Sequence, residues 1–473
     1  MTTFFYFNLT KDLSSILEDS DDYNVIIQVG ETNNTKEFRA HSVILRARSS
    51  YFKGALSSNW IEKKDNMIMF NKPNVTPIVF DMILRYIYTS ELDLTKQSGE
   101  NILELLIASD ELLLEELFEF VQDYLILKQT SWIYQNLFFV LNAVYKLVGC
   151  KKLKECCFEF FSANSLPFIT SKTFLSIDKD ILHNLLSRDD LQVKEIAIWD
   201  CLIQWGIEQT PDLESDRTNW NNENYEALKK NIANFFLLIR YAGISREDIV
   251  DKVFPYKAII PKFIYKEIEK YYHKGTFPSL AFSSLRKIKI KSNIIESELV
   301  KVIINWIDKQ HVKYIRTGND PYYKFNLIYR GRRNGINNNS IKNKCNGRVA
   351  SLVLIKTKQS NIIFGGYSSI GLNSLGDNYI VENNLRYYSS SDNFIFTFEN
   401  GSDTRNMRIG RVVNESKAIL VRGDHGFNFG QGSLCVVNHN LYLNNFKDNY
   451  NNILSTEIIY NIEEIETFIV EKF

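Results

Sequence analysis

At 473 residues the chain is too long for one hydrophobic core, so two to four domains are expected. Its 45% hydrophobic and 24% charged residues are those of an ordinary globular protein and leave little room for long disorder. Lys+Arg and Asp+Glu balance at 56 each, so net charge favours neither nucleic acid nor an acidic membrane as partner. The start, MTTFFYFNLTKDL, has no basic n-region, no apolar core of signal-peptide length and no small-residue cleavage site. Apolar runs such as 137–141 and 235–239 are too short for membrane insertion. None of the six cysteines (150, 156, 157, 201, 345, 435) forms a CxxC pair or stands at zinc spacing from a histidine. A soluble protein of the cytoplasm is expected, with the nucleus as the other compartment open to it.

The first section, to about residue 127, mixes strands and helices. DYNVIIQVG and KEFRA read as two strands joined across a polar turn at 32–35. The stretch RAHSVILRARSSYFKGAL (39–56) then sets His41 beside Ser42, with Ser49 and Ser50 following. Nucleophilic triads converge from distant positions, and no GxSxG elbow occurs, so neighbouring residues do not make a site. Local structure gives a simpler account: His41 closes a strand, Val43, Ile44, Leu45 and Ala47 begin a short buried helix, and Ser49 caps a second. Thr76 and Pro77 open a helix that carries Ile78, Val79, Ile83, Leu84 and Ile87 at helical spacing. Leu105, Leu106, Leu112, Leu113, Leu117, Phe120 and Val121 supply the buried faces of the next pair.

From 128 to 273 the pattern is a stack of short amphipathic helices, with Trp199, Leu202, Ile203 and Trp205 marking one buried side. The segment 274–289 holds a Gly, a Pro and several serines, and reads as a linker. LRKIKIK (285–291) at its end alternates apolar and basic residues, as an edge strand or a solvated linker does. From 290 one helix leads into seven or more short strands separated by Asn, Gly, Ser and Asp turns, which suggests a mainly-β, sandwich-like domain. No internal repeat is present, which excludes a propeller or a solenoid. The fold class is therefore multidomain α+β.

Two patterns invite chemistry. Gly365-Gly366 and Gly430-Gln431-Gly432 suggest phosphate binding, but neither precedes a helix and no GKS or GKT occurs. Glycines there serve tight turns or positive φ between strands. Cys345 follows Lys344, and a neighbouring cation lowers a thiol pKa, so a redox thiol is the enzyme alternative to an inert apolar cysteine. No cofactor or metal motif is found.

Residues 20–127 resemble the BTB/POZ domain, on DYNVIIQVG, KEFRAHSVILRARSSYFKGAL and SSNW. The helical section resembles the BACK domain, most clearly in IWDCLIQWGIEQTPDL (198–213). The last section resembles the TLDc domain on FNLIYRGRRNG (325–335), IKNKCNGRVASLVLIKTK (341–358), IIFGGY (362–367), DNFIFTF (392–398), GFNFGQGSLCVV (426–437) and IEEIETFIV (462–470). The resulting order is BTB/POZ at 1–127, BACK at 128–273, the linker at 274–289 and TLDc at 290–473.

This resemblance implies a non-catalytic adaptor: a BTB homodimer, a cullin-3 scaffold bound through it, and an unidentified protein target held by the TLDc domain for ubiquitination. The hydrophobic–any–Glu tripeptide of cullin-binding relatives falls on Trp60-Ile61-Glu62, after the helix that carries Phe52. The TLDc motif residues are Arg330, Gly331, Cys345, Gly365, Gly366, Phe429, Gly430 and Gly432. Asn24 and Ser42 replace the charged pocket of BTB repressors. Phe427 replaces a usual proline, and Ser433 a usual acidic residue, in the TLDc motif. The alternative implied by the TLDc resemblance is a regulator of oxidative-stress resistance or of the vacuolar proton ATPase, dimerised through its BTB domain.

Overall fold

Strand Val25–Val29 is the middle of the first sheet, and its sequence explains why. Val25, Ile27 and Val29 are fully buried on one face, a period-2 pattern that a central strand requires. It pairs antiparallel with Lys36–Ala40 and parallel with Met67–Lys72, and Glu62–Lys64 closes the four-stranded sheet. The structure, a computed structural model, describes residues 6–19, 22–31, 34–57, 62–64, 67–274, 285, 286, 288, 290–444, 449–451 and 458–473. Part of the expected 32–35 turn lies outside them.

Helix Tyr6–Asp19 packs on helix Pro77–Thr89, which is followed by Gly99–Glu111 and Glu115–Lys128. Thr76 takes the N-cap position with Pro77 behind it, but its hydroxyl reaches across to Glu104 (2.9 Å) instead of capping. Val79, Ile83 and Ile87 face the core as expected; Ile78, Leu113, Phe120 and, on the helix after His41, Val43 do not, and each is more than half exposed. The helix after His41 therefore buries only Leu45. Leu113 sits between two helices at φ +52°, where the chain turns its side chain outward.

The chain divides into two units, Met1–Arg188 with Ile207–Leu213, and Asp189–Gly206 with Glu214–Phe473. The first continues through helices Thr130–Gln135, Leu137–Val144, Lys151–Ala163 and Lys179–Ser187, around rings of Phe138, Phe161, Phe168 and Phe174. In the second, Trp199, Leu202, Ile203 and Trp205 are buried as their spacing predicts, with the Trp199 ring against Phe236, Tyr241 and Tyr256.

The C-terminal domain is a curled antiparallel sheet of twelve strands among the described residues. The long strand Ile458–Lys472 makes the curl. Its first residues pair with Asn440–Leu443, whereas the rest lies between Tyr323–Arg330 and Ser351–Thr357, with register shifts at Ile462/Glu464 and Thr467/Phe468. Two layers result. Val353, Ile355, Ile395 and Ile465 share one core with Phe429 and Val436 of the other half of the sheet. Leu352, Leu354, Phe394 and Phe396 share a second core with Ile303 and Trp306 of helix Ser297–Ile307. Strand Ser351–Thr357 is therefore apolar on both faces, and reads as a continuous hydrophobic run rather than an alternation.

Candidate functional site

His41 belongs to the fold, as its local context predicts. Its backbone N–H donates to the Tyr88 hydroxyl at 2.8 Å, and its Nδ1 lies 2.8 Å from the same oxygen. Burial pushes the Tyr88 hydroxyl pKa up, so this oxygen stays protonated. Ser49 caps helix Ser50–Ala55 by accepting from Phe52 N, and its own hydroxyl donates to the Leu112 carbonyl at 2.7 Å. Neither serine nor histidine is arranged for nucleophilic work. Asn24 and Ser42 meet: the Ser42 N–H donates to Asn24 Oδ1 (2.8 Å) and Asn24 Nδ2 to the Ser42 hydroxyl (2.9 Å). A neutral pair thus fills the place where a charged pocket would lie.

Of the proposed cullin contacts, Phe52 is fully buried, with its ring against Tyr51 and Phe70. It shapes the core beneath its helix and presents no surface. Trp60 lies outside the described residues, and Glu62 begins strand Glu62–Lys64.

The TLDc motif residues fall at packing points. Arg330 Nε donates to Glu466 Oε1 at 2.8 Å, and its Nη2 donates to the Lys291 carbonyl at 2.7 Å. Gly331 follows, where a Cβ would come within 2.9 Å of Glu464 Oε1. Gly365 and Gly366 lie inside strand Ile363–Ser368, neither in a turn nor at positive φ, which corrects the turn expected there. They seat aromatic rings on opposite faces. A Cβ on Gly365 would stand 2.3 Å from Phe396 Cζ, and one on Gly366 would stand 2.7 Å from Phe429 Cζ. Gly430, Gln431 and Gly432 do turn at positive φ, +56°, +59° and +106°. Ser433 is buried and donates to the Gly430 carbonyl at 3.2 Å, holding that turn, and Phe427 is buried in the same core as Phe429.

Cys345 is buried, and burial raises its thiol pKa to about 11, the opposite of what a redox nucleophile needs. Cys435 lies 3.5 Å from His425 Nδ1, but its pKa is raised to about 12 by burial while desolvation lowers that of His425, so the pair stays neutral. No group of three or more His, Cys, Asp or Glu suited to a metal occurs among the described residues. No helix among them is long and apolar enough to cross a membrane.

Sequence reasoning missed two buried carboxylates of the last strand, and a third, Glu195, in the helical section. Glu466 is fully buried and accepts from Arg330 Nε, from Asn293 N (3.0 Å) and from the Ser292 hydroxyl (2.6 Å). Glu464 accepts from Arg332 N (3.1 Å) and Ile465 N (2.9 Å). Their sequence signal is the carboxylates of IEEIETFIV, charges in an otherwise apolar strand that must find donors if buried. Glu466 ties down residues 292 and 293, just beyond the segment 274–289 read as a linker. Within that segment Arg286 is buried in an ion pair with Glu195 (2.5 Å), and Ile290, which follows it, is buried against helix Ser297–Ile307. Residues 275–284, 287 and 289 lie outside the described residues.

The residues singled out from the sequence thus lie at capping, pairing and packing positions of the fold. The BTB/POZ domain matches residues 13–129, the domain described as BTB And C-terminal Kelch (BACK) matches 140–217, and the TLDc domain matches 288–471. The chain thus carries BTB/POZ, BACK and TLDc domains in that order. It is 31% identical over 170 residues to BTB/POZ domain-containing protein 9 of Homo sapiens, covering 36% of this chain and 27% of that protein. It is 29% identical over 171 residues to Kelch-like protein 40a of Danio rerio, covering 36% of this chain and 26% of the relative. The chain therefore spans about a quarter of the length of these relatives. Among solved structures, the BTB domain of zebrafish PATZ1 is similar at 26% identity over 27% of this chain and 99% of that one, with a TM-score of 0.22.

Proposed function

We propose that the chain is a non-catalytic, dimeric adaptor: the substrate-recognition subunit of a cullin-3 RING ubiquitin ligase, with the BTB domain binding the cullin and the TLDc domain selecting the target. The single observation that carries this reading is the domain order, a BTB/POZ domain and a BACK segment ahead of a TLDc domain. Two further observations support it. The Cys345 and Cys435 thiols are buried with raised pKa values, which speaks against a redox thiol at Cys345. Leu9, Ile16 and Val43 are exposed on the N-terminal helix and on the helix after His41, apolar surface of the kind an isologous dimer covers. The cullin contact is assigned to Trp60 and Glu62, with Phe52 setting the helix before them from inside the core.

Light scattering on the purified chain, alone and mixed with the N-terminal region of cullin-3, tests the reading. It expects a dimer alone and an assembly with one cullin per protomer when mixed. A dimer that leaves cullin-3 unbound would turn the reading to the second one, a stress or proton-ATPase regulator that acts through its TLDc domain.

A further inference from the structure

The sequence from 321 to 376 holds no Asp or Glu, in a chain whose basic and acidic residues balance at 56 each over its whole length. Lys342 of that segment reaches an open cavity of about 550 Å³, where it is joined by Arg386 and Arg422. Asp424 is the one carboxylate among the described residues that line it. Arg422 already engages this carboxylate with both arms of its guanidinium, at 3.0 and 2.9 Å. The cavity is therefore left with the charges of Lys342 and Arg386. Lys342 Nζ donates to the carbonyls of Arg422 (2.8 Å) and Gly423, which fixes the ammonium at the wall, and the Arg386 guanidinium lies over the Tyr379 ring at 4.9 Å. Both cations are held in place before any ligand arrives.

An unpaired sheet edge runs alongside. Strand Ile380–Glu382 pairs with Leu385–Tyr388 and with no other strand among the described residues. Ile380 is 45% exposed and Val381 60% exposed. Val381 stands directly opposite Arg386, which stands opposite Val421, so the three side chains share one face, and two of them line the cavity. Glu382, the carboxylate of this edge, is paired with Lys417 at 2.7 Å. An edge of this kind offers main-chain donors and acceptors beside an apolar side chain and two fixed cations.

We propose that this corner of the TLDc domain is a docking surface for an extended, acidic segment of a partner protein. The segment adds as a strand to Ile380–Glu382, and every second side chain sets a carboxylate on the face shared by Val381 and Arg386, with Lys342 adding its charge from across the cavity. The proposal deepens the target-selecting role given above to the TLDc domain and rests on that reading. A polyphosphate or nucleic acid would meet the same cations but could not use the strand edge, and this is what separates the partner classes.

The probe is a short fluorescein-labelled peptide alternating Glu and Val, titrated with the full-length chain and read by fluorescence anisotropy. Wild type is expected to bind it at micromolar concentration, to ignore the Lys-Val counterpart, and to lose about tenfold or more in Arg386→Glu. Two further peptides, N-methylated at one or the other alternate set of residues, keep the charge while removing half of the main-chain donors. One is expected to lose binding by about tenfold and the other to keep it, because alternate N–H groups face the edge. Val381→Asp, a substitution at an exposed site, repeats the charge test without touching Arg386. Equal binding of both N-methylated peptides, an equally tight Lys-Val peptide, or no binding by wild type would each overturn the proposal. Cullin-3 binding, measured on the same Arg386→Glu sample, stays at the wild-type level, so failure of the docking surface and failure of the adaptor reading are distinguishable.

Discussion

The fit between Gly365 and the Phe396 ring is closer than any side chain would allow. A methyl group at that position would stand 2.3 Å from Phe396 Cζ and 2.6 Å from the Val353 carbonyl oxygen, in a strand buried on both faces. Gly365→Ala is expected to destabilise the chain by about 1–3 kcal/mol in urea unfolding, the range for overpacking a filled core. Gly423→Ala is its control: nothing lies within 4 Å of a Cβ there, and its midpoint is expected to stay at wild type. The Cys345 thiol gives a pH test. Burial moves its pKa from the ordinary 9.0 to about 11, so between those values the unfolded chain binds fewer protons than the folded one. Stability is therefore fully present below pH 9 and falls as pH rises toward about 11. Cys345→Ala is expected to flatten that fall, measured as the urea midpoint against pH. At this scale the sequence shows which residues are special but not why. Gly365-Gly366 reads as a turn because a glycine pair usually marks one, and only the facing rings of Phe396 and Phe429 reveal it as a seat within a strand.

Elements were legible where one face is apolar and the other polar. The strand Val25–Val29, the cap at Ser49, and the helices carrying Ile83 and Trp199 all follow from spacing. Edge strands did not follow. Ile380–Glu382 is exposed along its whole length, and Arg408–Arg411 runs exposed, half-buried, buried, half-buried, which leaves no alternation to read. The N-terminal helix Tyr6–Asp19 did not follow either, and the strand Met67–Lys72 is set by parallel pairing with a strand some forty residues earlier. The segment 285–293 is the sharpest case, because its alternating charges look solvated. The partners that bury them, Glu195 for Arg286 and Glu466 for Ser292 and Asn293, lie some 90 and 170 residues away, a distance no local rule spans. Breaking one of these ties has a defined consequence. Arg286→Ala removes the guanidinium from the buried Glu195 carboxylate and is expected to cost about 3–5 kcal/mol in urea unfolding. The double substitution Glu195→Leu/Arg286→Met is expected to recover most of it, since an apolar pair of similar volume replaces a buried ion pair at little cost. A double variant as unstable as the single one would show that the segment is held by something other than this pair.

For the whole molecule, BTB/POZ, BACK and TLDc domains follow one another along the chain, and the last carries a curled sheet with a basic corner. In the adaptor reading, dimerisation presents two target sites to one assembly and raises apparent affinity for a repeated or dimeric target without any new contact. The order of mixed, helical and strand-rich sections was legible because each has its own periodicity, and the quoted motifs then carried the resemblance to BTB/POZ, BACK and TLDc domains. The target was not, because the corner that would select it draws Lys342, Arg386 and Arg422 from three separate segments. The measurement that bears most directly on the account is a calorimetric titration of the N-terminal region of cullin-3 into the full chain, wild type beside Trp60→Ala/Glu62→Ala. The account expects micromolar or tighter binding by wild type, at one cullin per protomer, and a loss of about tenfold or more in the double variant while light scattering still reports a dimer. A wild-type dimer that releases no heat and forms no complex with cullin-3 would contradict it.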